Sequence, residues 1–586
     1  MFANIHYDRR KSQINLWDYE NEKRVFKKID WVPYVFEFDN TSNITSMTGL
    51  PASKKEFNTY QQYYNFCKAH KEDRFIFEDF VQPEIQYLSD VYYKTPIEDM
   101  EVPELLIYSI DIEVYSEYGM PNWQIADCPI TSITIHNFKN KSSKTFGIKK
   151  YTGKNKYNTD FVYCETEERL ISLFLTWWRE NFPDVVTGWN IVSDNKINMF
   201  GGFDFPYMIN RINYLFPDQH IYKLLSPINN VYVKNFPDRM SVSIAGISLI
   251  DYMALYKWYS TNKLEKYSLE RVAQEELGKG KLDFGNSKDL REMYNKDWNR
   301  YVDYNVIDTT IIRELEEKLG YINLVQYLSL LCKCQLNGYN ATTKLVEGLM
   351  LTRFRRNYKC APKFLGGHEE KFDAAYVKTP VPDLYGWSFS IDIQSSYPFG
   401  IIALNMSPET LMGKILNFSH REIINFTKQK EFPPFKMKKN DEIIFIDNEN
   451  LKLFNNTVRL KHVSIAPNGS VFFNLIKGAY SEMERDIFNK RKEIKQNIRR
   501  LKKLNDPSLK NQIQRLHTMQ WALKIVINGA YGATAVPYSR YFCPDLAEAV
   551  PAVGKEALMA GERYIDDVMN NLNNYPNLMK IIHQVI

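Results

Sequence analysis

Apolar and polar positions alternate in short stretches through the first hundred residues, as in YVFEFD (34–39), which predicts a small mixed domain with no catalytic motif. From Leu105 the pattern sharpens into strand, loop and helix units that continue to about Gly320, an α/β arrangement. A mostly helical stretch comes next, over roughly 322–357, and strand signals resume near Ala374. From about Ser481 to Tyr531 the spacing predicts two long helices broken at Asn505-Asp506-Pro507, where Asp before Pro is a helix-start signal. In KEALMAGERYIDDVMNNL the apolar residues Leu558, Tyr564, Ile565, Val568 and Leu572 recur near helical period, while NLMKIIHQVI (577–586) reads as a strand. There is no internal repeat and no low-complexity segment.

At 586 residues the chain exceeds what one core serves, so several domains are expected. Hydrophobic residues make up 44% and charged residues 25%, the balance of a soluble globular protein. No apolar run approaches the ~20 residues of a membrane span, and MFANIHYDRRKS has no apolar stretch that would serve as a secretion signal. A cytosolic protein without membrane partners is the expectation. Seven scattered cysteines form no Cys-x-x-Cys pair and are read as reduced and structural.

Net charge is only +5 and by itself does not point to nucleic acid, but its distribution is uneven. Between Arg485 and Arg515 stand eleven Lys or Arg against three acids, an excess larger than that of the whole chain. Such a run is usually a solvated helix face unless other residues give it a task.

The chemistry begins in LLIYSIDIEVY (105–115). On a strand, alternate side chains share a face, so Asp111 and Glu113 emerge together while Ile110, Ile112 and Val114 face away. Two anions on an apolar strand repel and lose solvation unless a cation joins them, and a divalent metal is the natural tenant. FDFPYMINRINYLF (203–216) predicts a helix with Asp204 at its start. RYVDYNVIDTTIIRELEEKL (300–319) predicts another, with Tyr304 and Asp308 four apart on one face. Four acids suit two metal ions ~4 Å apart that activate a water and stabilise the leaving oxygen of a phosphodiester, with Tyr304 orienting the water. Singly these are a helix cap and a surface pair; the order DIE, TGWN with FD, then YNVID carries the functional reading.

These motifs, with VSIAGISLIDYMALYK and YSLERVAQEELGKGKL, resemble the family B replicative DNA polymerases of T-even bacteriophages, from about residue 100 to the end. IVSDNKINMFGG (191–202) reads as an insertion, and its Asp194 is not expected to be a ligand. The resemblance implies a multidomain α/β and α+β fold, with a ribonuclease H-like 3′ to 5′ exonuclease domain, a partial palm and a helical-hairpin fingers subdomain. The corresponding boundaries are 1–106 (N-terminal domain), 107–321 (exonuclease), 322–375 (helical return), 376–480 (first part of the palm), 481–535 (fingers) and 536–586 (second part of the palm).

FSIDIQSSYP (389–398) resembles polymerase motif A, with a strand ending in Asp392. The resemblance makes Asp392 a ligand of both catalytic metals and places Tyr397 beneath the incoming sugar, where its bulk excludes a ribose 2′-OH. Ser395 and Ser396 flank the nucleotide; Ser396 replaces a leucine, and Phe399 and Gly400 are further departures. The basic helices resemble fingers, with KIVINGAYG as motif B. Arg491 and Lys495 lie one turn apart on the first, and Lys524, Asn528 and Tyr531 form a face on the second. About the turn at Asp506, Arg491 and Lys524 are offset by three residues, only ~4.5 Å of rise, so three cations converge on one triphosphate.

The family's motif C, a second aspartate cluster in a hairpin after the fingers, has no counterpart in this sequence, and neither has the thumb. YIDD (564–567) mimics a related motif but sits in a helical pattern, with Asp566 and Asp567 expected to face solvent. The expectation is therefore one part of a split or truncated polymerase that proofreads, binds primer-template DNA and dNTPs, and needs a second polypeptide with motif C and thumb for synthesis. That chain would also reach the sliding clamp and single-strand-binding protein. The rival readings are a stand-alone 3′ to 5′ exonuclease and a non-catalytic DNA- or RNA-binding fragment. Oxygen-only ligands favour Mg²⁺ or Mn²⁺, with Mg²⁺ favoured by supply, and the resemblance implies action in a bacterial host cytoplasm.

Overall fold

The computed structural model describes the chain except residues 96–101, 155–156, 194–201, 368–378, 380, 385–391, 394, 440–441, 572–573 and 575–586. The strand signal at Ala374, most of the motif A strand, most of the 191–202 insertion and the apolar strand at 577–586 fall outside the described residues.

The chain opens with an antiparallel meander of strands Phe2–Asp8, Gln13–Glu20 and Lys23–Asp30. Their apolar face, including Phe2, Ile5, Ile14 and Leu16, packs with Tyr87 and Leu88 of helix Pro83–Tyr92. Asp184, fully buried in the neighbouring α/β unit, ties the meander to that unit. Its carboxylate accepts from the Tyr19 hydroxyl at 2.6 Å and pairs with Arg24 Nε at 3.0 Å, and its carbonyl accepts from Asn4 at 2.9 Å.

Residues 107–251 build a six-stranded sheet in the order Thr159–Tyr163, Ser142–Gly147, Ile130–Asn137, Ile107–Val114, Val185–Gly188, Ser248–Asp251. Ile130–Asn137 runs antiparallel to both of its neighbours, whereas Val185–Gly188 is parallel to Ile107–Val114 and to Ser248–Asp251. The predicted alternation of the central strand decides the layers. Ile110 and Ile112 enter a core with Phe174 and Trp178 of helix Glu167–Glu180 and Phe205 of helix Asp204–Leu215. The opposite face meets helix Trp298–Leu319, where the Ser109 hydroxyl donates to the Thr309 carbonyl at 2.8 Å.

Helices Tyr321–Cys332 and Thr342–Arg356 then form a shared core with the later helices, through Leu345, Val346 and Leu351 against Leu523, Val526 and Ile527. Gly348 is required there, since a Cβ would stand 1.8 Å from the Cys332 carbonyl oxygen. Lys359–Cys360 pairs with Thr45–Ser46, bringing the chain back to its N-terminal region.

The next unit is a five-stranded antiparallel sheet, ordered Glu442–Ile446, Phe435–Lys439, Leu411–Leu416, Ser470–Phe473, Val463–Ile465, with helices His420–Gln429 and Asn448–Arg459 over one face. Helices Ala479–Lys503 and Lys510–Ala535 form the predicted hairpin. Their connection is the 3-10 turn Pro507–Leu509, which Asp506 caps by accepting from the Ser508 N–H at 2.9 Å. Helix Pro544–Asn570 is the last long helix among the described residues and contains the YIDD tetrad, with Asp566 and Asp567 exposed as expected. All seven cysteines are free, and no helix among the described residues is long and apolar enough to cross a membrane.

Candidate functional site: a buried carboxylate cluster and a cationic helix pair

The two faces of strand Ile107–Val114 explain the first site. Asp111 and Glu113 lie on the side turned to helix Trp298–Leu319, opposite Thr134 and Ser132 of the neighbouring strand. Asn305 of that helix holds this corner together. Its Nδ2 donates to Asp111 Oδ2 at 2.6 Å, and its Oδ1 accepts from the Ser132 and Thr134 hydroxyls. Asp204, first residue of its helix and 4% exposed, accepts from the Ile112 N–H at 3.0 Å, pinning the helix start to the same strand. Asp308, four residues after Tyr304, completes the set at 5% exposure.

The electrostatics show that these acids share one environment. Burial first, and then the charge of Asp308, push the Asp111 carboxyl up; burial and then Asp111 and Asp308 push up Glu113. Asp204 is raised by burial and by Asp111, and Asp308 by burial against the opposing pull of Lys281. The Lys281 ammonium is bonded to Asp308 Oδ2 and donates to the Tyr304 hydroxyl at 3.2 Å. Burial alone would lower Lys281, but Asp308 and Tyr304 outweigh it and hold the ammonium charged. Tyr304, raised to about 12 by burial and Asp308, is stacked by Phe284 with ring centroids 5.9 Å apart.

All five predicted exonuclease residues therefore meet. They do not form a closed cage: among the described residues no three Asp, Glu, His or Cys side chains are grouped so as to hold a metal ion. The reason is local, because Asp111 is turned toward Asn305, Asp204 toward the Ile112 N–H and Asp308 toward Lys281. Asp308 keeps one buried oxygen, Oδ1, without a hydrogen-bond partner.

Two contributors escaped the sequence reading. Lys281 sits in the loop after Gly278, whose φ of +69° ends helix Leu269–Leu277, and periodicity says nothing about a loop. Its neighbour Lys279 is chemically identical but pairs with Glu314, so only the fold distinguishes them. Asn305 lay inside the YNVID motif and gave no sign of clamping Asp111.

The second predicted site is assembled in part. Ser395 takes a left-handed φ of +57° before helix Ser396–Ala403, and the Tyr397 ring meets Tyr531 with centroids 5.1 Å apart. Gly554 presses on this turn, where a Cβ would stand 3.1 Å from Ser396 Oγ. Lys524 and Asn528 are exposed along the face of helix Lys510–Ala535 that ends at half-buried Tyr531. Across the hairpin, Arg491 Nε donates to Gln520 Oε1 at 3.4 Å, and Lys495 is lowered by burial and then by Arg491, Arg499 and Lys524. The predicted cations thus lie within each other's fields. Asp392 is exposed, and among the described residues no hydrogen bond or ion pair links it to them.

Comparison with known proteins matches residues 66–272 to the exonuclease domain of DNA polymerase family B, and residues 334–584 to DNA polymerase family B. The DNA-directed DNA polymerase of Escherichia phage RB69 is 25% identical over 605 residues, covering 94% of this chain and 65% of the relative. That of Enterobacteria phage T4 is likewise 25% identical, with the same coverage. DNA polymerase 1 of Pyrococcus abyssi is 26% identical over 82% of this chain and 52% of its own length. The chain thus spans about 65% of the length of the phage relatives.

Proposed function

Because the chain belongs to DNA polymerase family B and carries that family's exonuclease and polymerase domains, we propose that its residues 107–321 remove nucleotides from DNA 3′ ends. The observation that carries this reading is the convergence of Asp111, Glu113, Asp204 and Asp308, from a strand and two helices, in one buried cluster beside Tyr304. Four clustered carboxylates with one matching cation, Lys281, are unfavourable unless further positive charge is supplied. Their donor set is all oxygen, and the unpartnered Oδ1 of Asp308 is an open ligand position, both of which suit Mg²⁺ or Mn²⁺. These four acids would hold the ions, and the bound ions supply Lewis-acid stabilisation of the phosphate and an acidified water.

The chain's own groups do the rest. Asn305 fixes the direction of Asp111, and the Ile112 N–H fixes Asp204. The Tyr304 hydroxyl, held protonated by its raised pKa, orients the attacking water, and Phe284 holds its ring. The Lys281 ammonium stands beside Tyr304 and Asp308 and offsets negative charge on the phosphate. Asp111→Ala with Glu113→Ala should abolish shortening of a 5′-labelled oligonucleotide in Mg²⁺. Persistent degradation by that variant refutes the assignment.

For the second site we propose deoxynucleotide binding, with Asp392 as a metal ligand, Tyr397, Ser395, Ser396 and Tyr531 around the sugar and base, and Arg491, Lys495, Lys524 and Asn528 on the triphosphate. Synthesis also needs a second aspartate cluster, and residues 1–586 contain no sequence that matches the family's motif C. With primer-template DNA and all four dNTPs, this chain alone should shorten the primer. Adding a chain with motif C and thumb should permit extension, lost again in Asp392→Ala; extension by this chain alone overturns the two-part reading.

A further inference from the structure

We propose that Arg499 is the outer station of a polyphosphate-binding ladder on the helix hairpin, meeting triphosphate on its way in and pyrophosphate on its way out. The proposal rests on the reading of this hairpin as the nucleotide-binding element, and extends it by one residue and one ligand class.

The ladder comes from spacing. Arg491, Lys495 and Arg499 recur every four residues on helix Ala479–Lys503, so they climb one slowly winding stripe over roughly 12 Å. All three line a single open cavity with Phe488, Lys492 and Gln496. The stripe climbs away from the base of the hairpin, where Tyr531 meets Tyr397, toward the turn at Pro507. A nucleoside held by the tyrosine pair would direct its phosphates along this stripe, past Lys524 of the facing helix. Arg499, two turns beyond Arg491 and nearest the hairpin turn, stands at the outer end of the stripe, placed to meet an arriving or departing polyphosphate.

The helix's own acids do not neutralise the stripe. Glu482 and Asp486 both pair with Arg353, Glu493 pairs with Lys490, and Glu484 is fully buried. Among the described residues Arg491, Lys495 and Arg499 make no ion pair. Lys495 is held below its ordinary value by burial and by Arg491, Arg499 and Lys524, the mark of cations crowded without an anion. A compact polyanion relieves that crowding and forms charge-assisted hydrogen bonds with the guanidinium groups.

The experiment titrates the full chain in EDTA with inorganic pyrophosphate and tripolyphosphate by calorimetry at constant ionic strength. The expected result is that Arg499→Ala weakens both ligands roughly three- to fivefold, the scale of an exposed charge pair. Arg500→Ala, one residue along and off the stripe, should leave binding unchanged. Equal weakening by both variants reduces the effect to net charge and overturns the proposal. Unchanged binding in Arg499→Ala with weakened binding in Arg491→Ala overturns it while leaving the nucleotide reading intact. No effect from either Arg491→Ala or Arg499→Ala refutes both.

Discussion

The Lys281 ammonium is bonded to the carboxylate of Asp308 and lies 3.2 Å from the Tyr304 hydroxyl, joining a loop to two residues one helical turn apart. As a cation among these acids it balances charge in the resting site, and under the proposed exonuclease function it also balances charge on the phosphate. Lys281→Met should slow single-turnover shortening of a 5′-labelled strand about a hundredfold, the scale seen when one charge-stabilising donor is removed. Strand affinity in EDTA should change little. An unaltered rate would make Lys281 a counter-ion only.

The same cluster is a liability for stability when no metal is bound. Burial and mutual repulsion raise Asp111 and Glu113, so their ionised forms oppose folding near neutral pH. Asp111→Asn with Glu113→Gln should therefore raise Tm by about 2 to 4 °C in EDTA, while abolishing nuclease activity. Adding Mg²⁺ should raise Tm of the wild-type chain but not of the variant. A lower Tm for the variant in EDTA would show that the carboxylates are fully compensated without metal.

Most of this site was legible because two periodicities are rigid. The twofold alternation of a strand put Asp111 with Glu113, and the fourfold spacing of a helix put Tyr304 with Asp308. The hairpin break at Asp506-Pro507 and the helical character of YIDD were legible for the same reason, since capping chemistry and apolar spacing are local. Lys281 was not, because its role depends on which of two nearby lysines a glycine-flanked loop directs at the cluster; Lys279 goes instead to Glu314. Nor was the orientation of the acids toward Asn305, a backbone N–H and Lys281, which no spacing rule encodes.

His136 offers a pH test away from the acids. It is 1% exposed, its Nε2 accepts from Arg313 Nε at 3.1 Å, and its Nδ1 is left to donate to Ser143 Oγ at 2.9 Å. Burial and then the Arg313 charge lower it from 6.5 to about 4. Between those values the unfolded chain binds the proton and the folded one does not, so stability rises with pH across this window. The slope is at most about 1.4 kcal/mol per pH unit and vanishes above 6.5. The raised carboxyls of Asp111 and Glu113 act in the opposite direction over this range, so the His136 contribution is read by comparison with a variant. In urea titrations, the wild-type chain should lose stability relative to His136→Asn on going from pH 7 to pH 5, and an unchanged gap between the two would assign the pH dependence to other groups.

Arg540 closes the junction between the hairpin and the N-terminal region. Its side chain is 3% exposed; Nε pairs with Glu347 at 3.0 Å, Nη1 with Asp79 at 3.2 Å, and the Asp79 and Pro362 carbonyls accept from the same guanidinium. Asp79 retains Lys363 at 3.2 Å, but among the described residues Glu347 has no other cation, so truncation leaves a partly buried anion without its partner. Arg540→Ala should cost about 3 to 5 kcal/mol in urea unfolding, the range for breaking a buried ion pair. Glu347→Gln should recover part of that loss when combined with it, because the orphaned charge is then gone. If the double variant is as unstable as the sum of the two single ones, the carbonyl contacts of Arg540, rather than its pairing with Glu347, hold the junction.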